Sequence, residues 1–170
     1  MNSKKDLNFW FALVTIFVAI LLSVAVYFHW LSVSFFVGPL RFGHWLGVLG
    51  TLFIAFFTPA YYVLKRRYPR RLGTMLNVHI FGTLFSFILI SIHFAQQISR
   101  PPQFYPDLGT GVISYVATLI LVSTGFLHRF RLLEGGRLYP PHRNRFLHLS
   151  ITFTFYLVIV FHALRNSGFL

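Results

Sequence analysis

Five long apolar runs, separated by short polar segments, account for most of this chain. They cover residues 9–31, 45–64, 76–98, 109–127 and 146–164, each 19 to 23 residues long. A helix rising ~1.5 Å per residue needs about 20 residues to cross a hydrocarbon layer ~30 Å thick, so each run predicts one membrane-spanning helix. Helix breakers and charges fall between the runs: Gly38-Pro39, the stretch from Lys65 to Pro69, Pro101-Pro102, Gly135-Gly136 and Pro140-Pro141. The pattern predicts an all-α fold, a polytopic membrane helix bundle of five transmembrane helices in a single domain over residues 1–170.

Composition agrees with the pattern. Hydrophobic residues make up 56% of the chain and charged residues 11%, against about 25% charged in an ordinary soluble domain. The formal net charge is +12, which in a soluble protein would raise the question of nucleic acid. Here the basic residues sit in the segments between apolar runs, so they read as topology signals and exclude nucleic acid as a partner. With the N-terminus inside, twelve Lys and Arg fall on the inner side and three, Arg41, Arg100 and Arg165, on the outer. The positive-inside rule then places the N-terminus in the cytoplasm and the C-terminus outside, in a cell membrane crossed several times. Lys4 and Lys5 precede the first run as in a signal peptide, but its length and the lack of a small-residue cleavage site read as a retained helix. The chain has no cysteine, which excludes iron–sulfur clusters, thiolate metal sites and c-type haem attachment.

Histidine is the residue with unusual spacing. The third run carries His79 and His93, the fifth His148 and His162, and both pairs are fourteen residues apart. Fourteen residues fall 40° short of four full turns and rise about 21 Å, so each pair points from one helix face with one imidazole near each membrane surface. The third and fifth helices run parallel in a five-span topology, which sets His79 level with His148 and His93 level with His162. Two cross-helix pairs at two depths are what two stacked bis-histidine haems require. Chance predicts about 0.4 pairs at this offset among eight histidines. The third pair found, His128 and His142, spans Gly135-Gly136 and Pro140-Pro141, so no single helix aligns it. The plainer reading of membrane histidines is interhelical hydrogen bonding or a proton path, and fourteen residues separate the two on each helix too far to share a zinc ion.

Glycine spacing points the same way. The fourth run has Gly111 and Gly125, again fourteen apart, where a macrocycle pressed against helix backbone would need side chains absent. Gly111 is expected to face the outer haem and Gly125 the inner one, with Gly82, Gly47 and Gly50 as further positions of the kind; small-residue helix packing is the competing account. Haem propionates need cations or donors near each surface. Arg70, Arg71, Arg143 and Arg145 flank the inner level, and Arg41, Arg100 and Arg165 the outer. Arg165 stands out, one turn beyond His162 on the same face. His29 and His44 lie at the outer surface, where they read as interfacial side chains or as help for a quinone or a proton relay. The three carboxylates, Asp6, Asp107 and Glu134, all lie outside the apolar runs, which argues against a pump built on a midplane acid.

These residues resemble the ferric-reductase-like transmembrane domain shared by NADPH oxidases, metalloreductases and the haem-binding subunit of a periplasmic methionine sulfoxide reductase system. The likeness rests on the two histidine pairs with one helix between them, and on Thr58-Pro59, the basic loop, and Arg71-Leu72-Gly73 ahead of His79. The segment Thr124-Gly125-Phe126-Leu127-His128-Arg129 is of a similar kind, and the whole covers residues 41–165. The histidine helices and glycines also look like the haem core of quinol-oxidising cytochromes b, whereas ascorbate-type b cytochromes share their haems between other helix pairs. The chain departs from the reductases in having no sixth helix and no flavin or nicotinamide domain.

The expected function is therefore that of a di-haem b-type cytochrome, an electron-transfer subunit of a membrane oxidoreductase with irons about 20 Å apart by the helix rise. His79 and His148 would hold the inner haem, His93 and His162 the outer. Electrons would come from a separate flavoprotein or a quinol, so the expected partners are the lipid bilayer and separate redox proteins or quinone, within a larger complex. The alternatives are a quinol-oxidising subunit of a respiratory complex and a haem-free structural or assembly subunit.

Overall fold

The structure, a computed structural model, describes residues 3–101, 103, 108–130, 132 and 140–166, with backbone alone for residues 3–6 and 141. The side chains of Lys4, Lys5 and Asp6 lie outside the described residues, as do Pro102, Asp107, Arg131, Glu134, Gly135-Gly136 and Arg137. The elements are α1 (Ser3–Tyr27), β1 (Phe36–Val37), β2 (Leu40–Arg41), α2 (Phe42–Arg67), a 3-10 turn (Pro69–Arg71), α3 (Leu72–Ile98), α4 (Gly109–Phe130) and α5 (Pro141–Asn166). All five α-helices are long and apolar enough to cross a membrane, and the chain is a multi-pass membrane protein. Large apolar side chains stand exposed along them, with Phe56 73% and Phe153 66% accessible. In water such surface would drive aggregation, but lipid is its natural solvent.

The helices differ from the apolar runs at their ends, because apolarity marks the hydrocarbon-facing part and a helix can outrun it. Helix α1 stops at Tyr27, four residues short of the run: the Trp30 and Leu31 amides both turn back to the Ala25 carbonyl, and His29 takes a positive φ of 59°. A two-stranded antiparallel hairpin, β1–β2, follows where no strand is expected. Helix α2 continues through Pro59 to Arg67. Helix α5 begins at Pro141, five residues before its run; proline suits a first helical turn, where its missing N–H has no intrahelical partner to lose.

Two compact units make up the chain, residues 1–105 and 106–170. In the first, α3 packs against both α1 and α2. The α2–α3 pair is antiparallel, as its contacts show: Gly47 meets His93, Gly50 meets Ser86 and Ile90, Phe53 meets Gly82, and Tyr61 meets His79. Helix α1 buries Ala12, Ala19 and Val26, seven residues apart, a small-residue seam of the sort that lets membrane helices approach closely. A cluster of Val26, Val33, Ile92 and Ala95, joined by Leu22, Phe42, Leu46 and Ile88, closes the end of this unit where the hairpin lies. In the second unit α4 and α5 form an antiparallel pair, with Gly111 against His162 and Gly125 against His148. Several helix hydroxyls are satisfied locally, Ser23, Ser114, Thr118 and Thr152 each donating to the carbonyl four residues back, whereas the buried Thr83 and Ser86 hydroxyls of α3 have no partner among the described residues.

Candidate functional site: the four histidines and their supports

The histidines of interest divide evenly between the units. His79 lies seven residues into α3 and His148 seven into α5; His93 and His162 lie five and four residues from their helix ends. Each ring is held by the neighbouring antiparallel helix of its own unit.

His93 bonds through Nδ1 to the Gly43 carbonyl oxygen, 3.0 Å away. A carbonyl only accepts, so Nδ1 carries the proton and donates, and Nε2 carries the lone pair. The ring lies so close to α2 that a Cβ on Gly47 would come within 2.7 Å of His93 Cγ, a separation no real side chain keeps. Glycine at 47 is therefore a condition of the ring's position. The His44 ring sits edge-on to His93 with centroids 5.4 Å apart, so this residue joins the site without any expected ligand role. One turn on, Gln96 presses against Gly43 and donates through Nε2 to the Val33 carbonyl and the Ser34 hydroxyl, both at 3.2 Å, which ties the hairpin segment to α3.

In the second unit His148 Nδ1 lies 2.8 Å from the Thr124 hydroxyl. That hydroxyl has one proton, and the Ile120 carbonyl at 2.7 Å is one acceptor for it. With its proton on that carbonyl the hydroxyl accepts from His148 Nδ1 and leaves the lone pair on Nε2; with its proton turned to the ring it donates to Nδ1 instead, since the carbonyl keeps its helix amide. Asn144, almost wholly buried, donates its amide to the Thr124 carbonyl at 3.0 Å and fixes the start of α5 against the end of α4. A threonine stands beside the ring fourteen residues away as well, Thr110 Oγ1 lying 3.1 Å from His162 Nδ1. Here, however, the Asn166 amide donates to the His162 carbonyl at 2.7 Å and faces Nδ1 at 3.3 Å, so Nδ1 is the acceptor. Each threonine is followed by a glycine beside the ring: an added Cβ would stand a tight 3.3 Å from His162 Cε1 at Gly111 and an ordinary 3.5 Å from His148 Cε1 at Gly125. The repeating unit is thus Thr-Gly on α4 against His on α5. The sequence pointed to the glycines and the histidines and set Thr124 only in the segment Thr124 to Arg129, with no role for it or for Thr110, although Thr110-Gly111 and Thr124-Gly125 share the histidines' fourteen-residue period.

His79 is supported differently. Its ring stacks on Tyr61 with centroids 4.7 Å apart and planes inclined by 6°, and the Lys65 ammonium lies over the other aromatic partner, 5.2 Å from the Tyr61 centroid. Gly82 and Gly50 serve ordinary α2–α3 packing, the first against the Phe53 ring and the second against Ser86 and Ile90. Arg165 is exposed in the last turn of α5, three residues past His162. His128 and His142 lie on separate helices, α4 and α5. Among the described residues no three His, Asp or Glu side chains gather as a metal site would require.

Taken together, the fold and these side chains define a multi-pass membrane protein with pairs of histidines oriented from the helix beside them. No model of a known protein family matches the chain, and neither does any curated protein or any solved structure.

Proposed function

We propose that this chain is a di-haem b-type cytochrome subunit that carries electrons across a membrane, of the ferric-reductase-like kind. The observation that carries the reading is the orientation of His93 and His148 through Nδ1. An imidazole that ligates iron through Nε2 must keep its proton on Nδ1, and ligating histidines nearly always donate that proton to a carbonyl, carboxylate or water. His93 donates to the Gly43 carbonyl, which prepares it as an Nε2 ligand, and the Thr124 hydroxyl is placed to accept the same proton from His148. Gly111 and Gly125 support the reading too, since each leaves the helix surface bare beside a histidine.

In this reading His79 and His148 hold the inner haem, and His93 and His162 the outer. The haems, when bound, supply the one-electron chemistry; the chain supplies ligands, tautomers, spacing and an apolar surround. Arg165 offers a cation to the outer propionates. The basic bias of the inner segments puts the N-terminus in the cytoplasm and the C-terminus outside, in the cell membrane. The donor is a separate flavoprotein or a quinol, and the chain works within a larger complex.

A reduced-minus-oxidised optical spectrum of the purified protein, with pyridine haemochrome quantification, tests this reading. The expected result is a b-type α-band and about two haems per chain. A colourless protein, under conditions that load other b cytochromes, would favour a second reading: a haem-free structural subunit. That reading has its own observation, since the rings of His93, His148 and His162 all bond a neighbouring helix. The third reading, a quinol-oxidising subunit, draws on His44 beside His93 and predicts that a quinol analogue reduces the haems and that His44→Ala prevents it.

A further inference from the structure

At the hairpin end of the first unit several buried polar groups have hydrogen bonds left to make. Gln97 is 7% accessible, and its Nε2 has no partner among the described residues; the same holds for Arg100 Nη2 and His44 Nδ1. Gln97 lies four residues after His93 and within about 40° of it around α3, and Arg100 follows two residues past the helix end at Ile98, after a Ser99 that keeps helical backbone angles. His44 meets that face through His93. Arg41, at the start of α2, stands near enough for its charge to act on both His44 and Arg100.

Two of these groups share one demand, while His44 Nδ1 donates or accepts by tautomer and Gln96 Oε1, against Gly43, is an acceptor also without a partner among the described residues. The amide Nε2 and the guanidinium Nη2 can only donate. Burial, and after it the like charge of Arg41, push the Arg100 guanidinium below its ordinary pKa. Arg41 spends one donor on the Ser34 carbonyl at 3.3 Å; the side chains of Asp6, Asp107 and Glu134, the three carboxylates of the chain, lie outside the described residues. Two neighbouring cations with an unspent amide donor beside them call for planar anionic oxygens, which guanidinium binds best in a forked pair.

We propose that Arg41, His44, Gln97 and Arg100 form a carboxylate-binding site. Two sources carry that chemistry: a propionate of a haem on His93, which rests on the function proposed above, and a free carboxylate ligand arriving from the aqueous side, which does not.

The experiment has two arms, each run on the wild type, Arg100→Gln and Gln97→Leu, with helicity checked by circular dichroism. In the first, haem-depleted protein is titrated with haemin and with haemin dimethyl ester, whose propionates can no longer carry charge. Esterification should weaken binding tenfold or more in the wild type and less than threefold in Arg100→Gln. In the second, citrate is titrated calorimetrically into the protein as purified, and binding should be lost in Arg100→Gln and weakened in Gln97→Leu. Dependence on Arg100 in the first arm assigns the site to a propionate, and in the second to a free carboxylate. Folded variants that match the wild type in both arms overturn the proposal. A protein that takes up no haem but binds citrate through Arg100 would sink the haem reading and leave the carboxylate site standing.

Discussion

Replacing Thr124 with valine probes the setting of His148, whose Nδ1 lies 2.8 Å from the threonine hydroxyl. Valine keeps the threonine's shape, so packing at this nearly buried position (4% accessible) changes little. The hydroxyl has three partners, the Ile120 carbonyl at 2.7 Å, the Leu121 carbonyl at 3.2 Å and His148 Nδ1 at 2.8 Å, and for His148 to serve as an Nε2 ligand it accepts from the last. The first is cheap to lose, because the Ile120 carbonyl also has its own helix amide. The last is not: His148 keeps an N–H with no acceptor, at a cost of about 1–3 kcal/mol when buried. The ring can escape that cost by moving its proton to Nε2, but an imidazole protonated there cannot ligate through that atom. Loss of such a supporting partner typically weakens metal affinity 10–100-fold, equivalent to about 1.4–2.7 kcal/mol. Thr124→Val should therefore release the inner haem preferentially, as measured by haem transfer to an apo-acceptor, while Thr124→Ser restores retention. The unfolding midpoint of haem-depleted protein should fall only modestly. Haem retention within twofold of wild type in Thr124→Val would refute the tautomer argument.

Other substitutions separate the readings. Gly125→Ala should raise helix stability by about 1 kcal/mol in haem-depleted protein, since the new methyl meets His148 at an ordinary 3.5 Å; in loaded protein it should lower inner-haem content, and stability gained with haem content unchanged would remove the macrocycle from that face. Gly47→Ala should destabilise by about 1–3 kcal/mol, because its methyl would overlap the His93 ring at 2.7 Å; thermal unfolding in detergent reads this directly. His93→Ala or His162→Ala should each leave about one haem per chain by pyridine haemochrome, with the lost component the same in both. Two different components lost would break the proposed pairing of His93 with His162.

How far the sequence alone reached depends on what kind of interaction set each feature. The five helices were legible because lipid imposes a long apolar run on any helix that crosses it, and 9–31 or 76–98 could hardly be read otherwise. Their ends were not. Tyr27 ends α1 through backbone turns at Ala25, and Pro141 starts α5, neither of which alters apolarity. The β1–β2 hairpin lay hidden in an apolar stretch, Phe35 to Leu40, held by the Trp45 indole donating to the Val37 carbonyl at 2.8 Å. At the site, period revealed His79, His93, His148, His162, Gly111 and Gly125, because a fixed spacing survives in one dimension. The partners from facing helices were invisible, since the pairing of Gly43 with His93 or Thr124 with His148 depends on helix register, which spacing along one helix does not encode.

The register also sharpens the contest between a ligand and a structural role. A histidine that merely joins two helices in lipid needs one hydrogen bond, and either ring nitrogen can make it. His93 and His148 sit on different helices, in different units, and meet unlike partners, a backbone carbonyl and a side-chain hydroxyl. Both present Nδ1. Nε2 ligation requires a proton on Nδ1 of each, which the Gly43 carbonyl fixes at His93 and the Thr124 hydroxyl, able to accept or to donate, permits at His148. The contrast is testable without counting haem: nitrogen-15 NMR of haem-depleted protein should show both rings protonated at Nδ1. An Nε2-protonated ring at either position would return that histidine to the structural account.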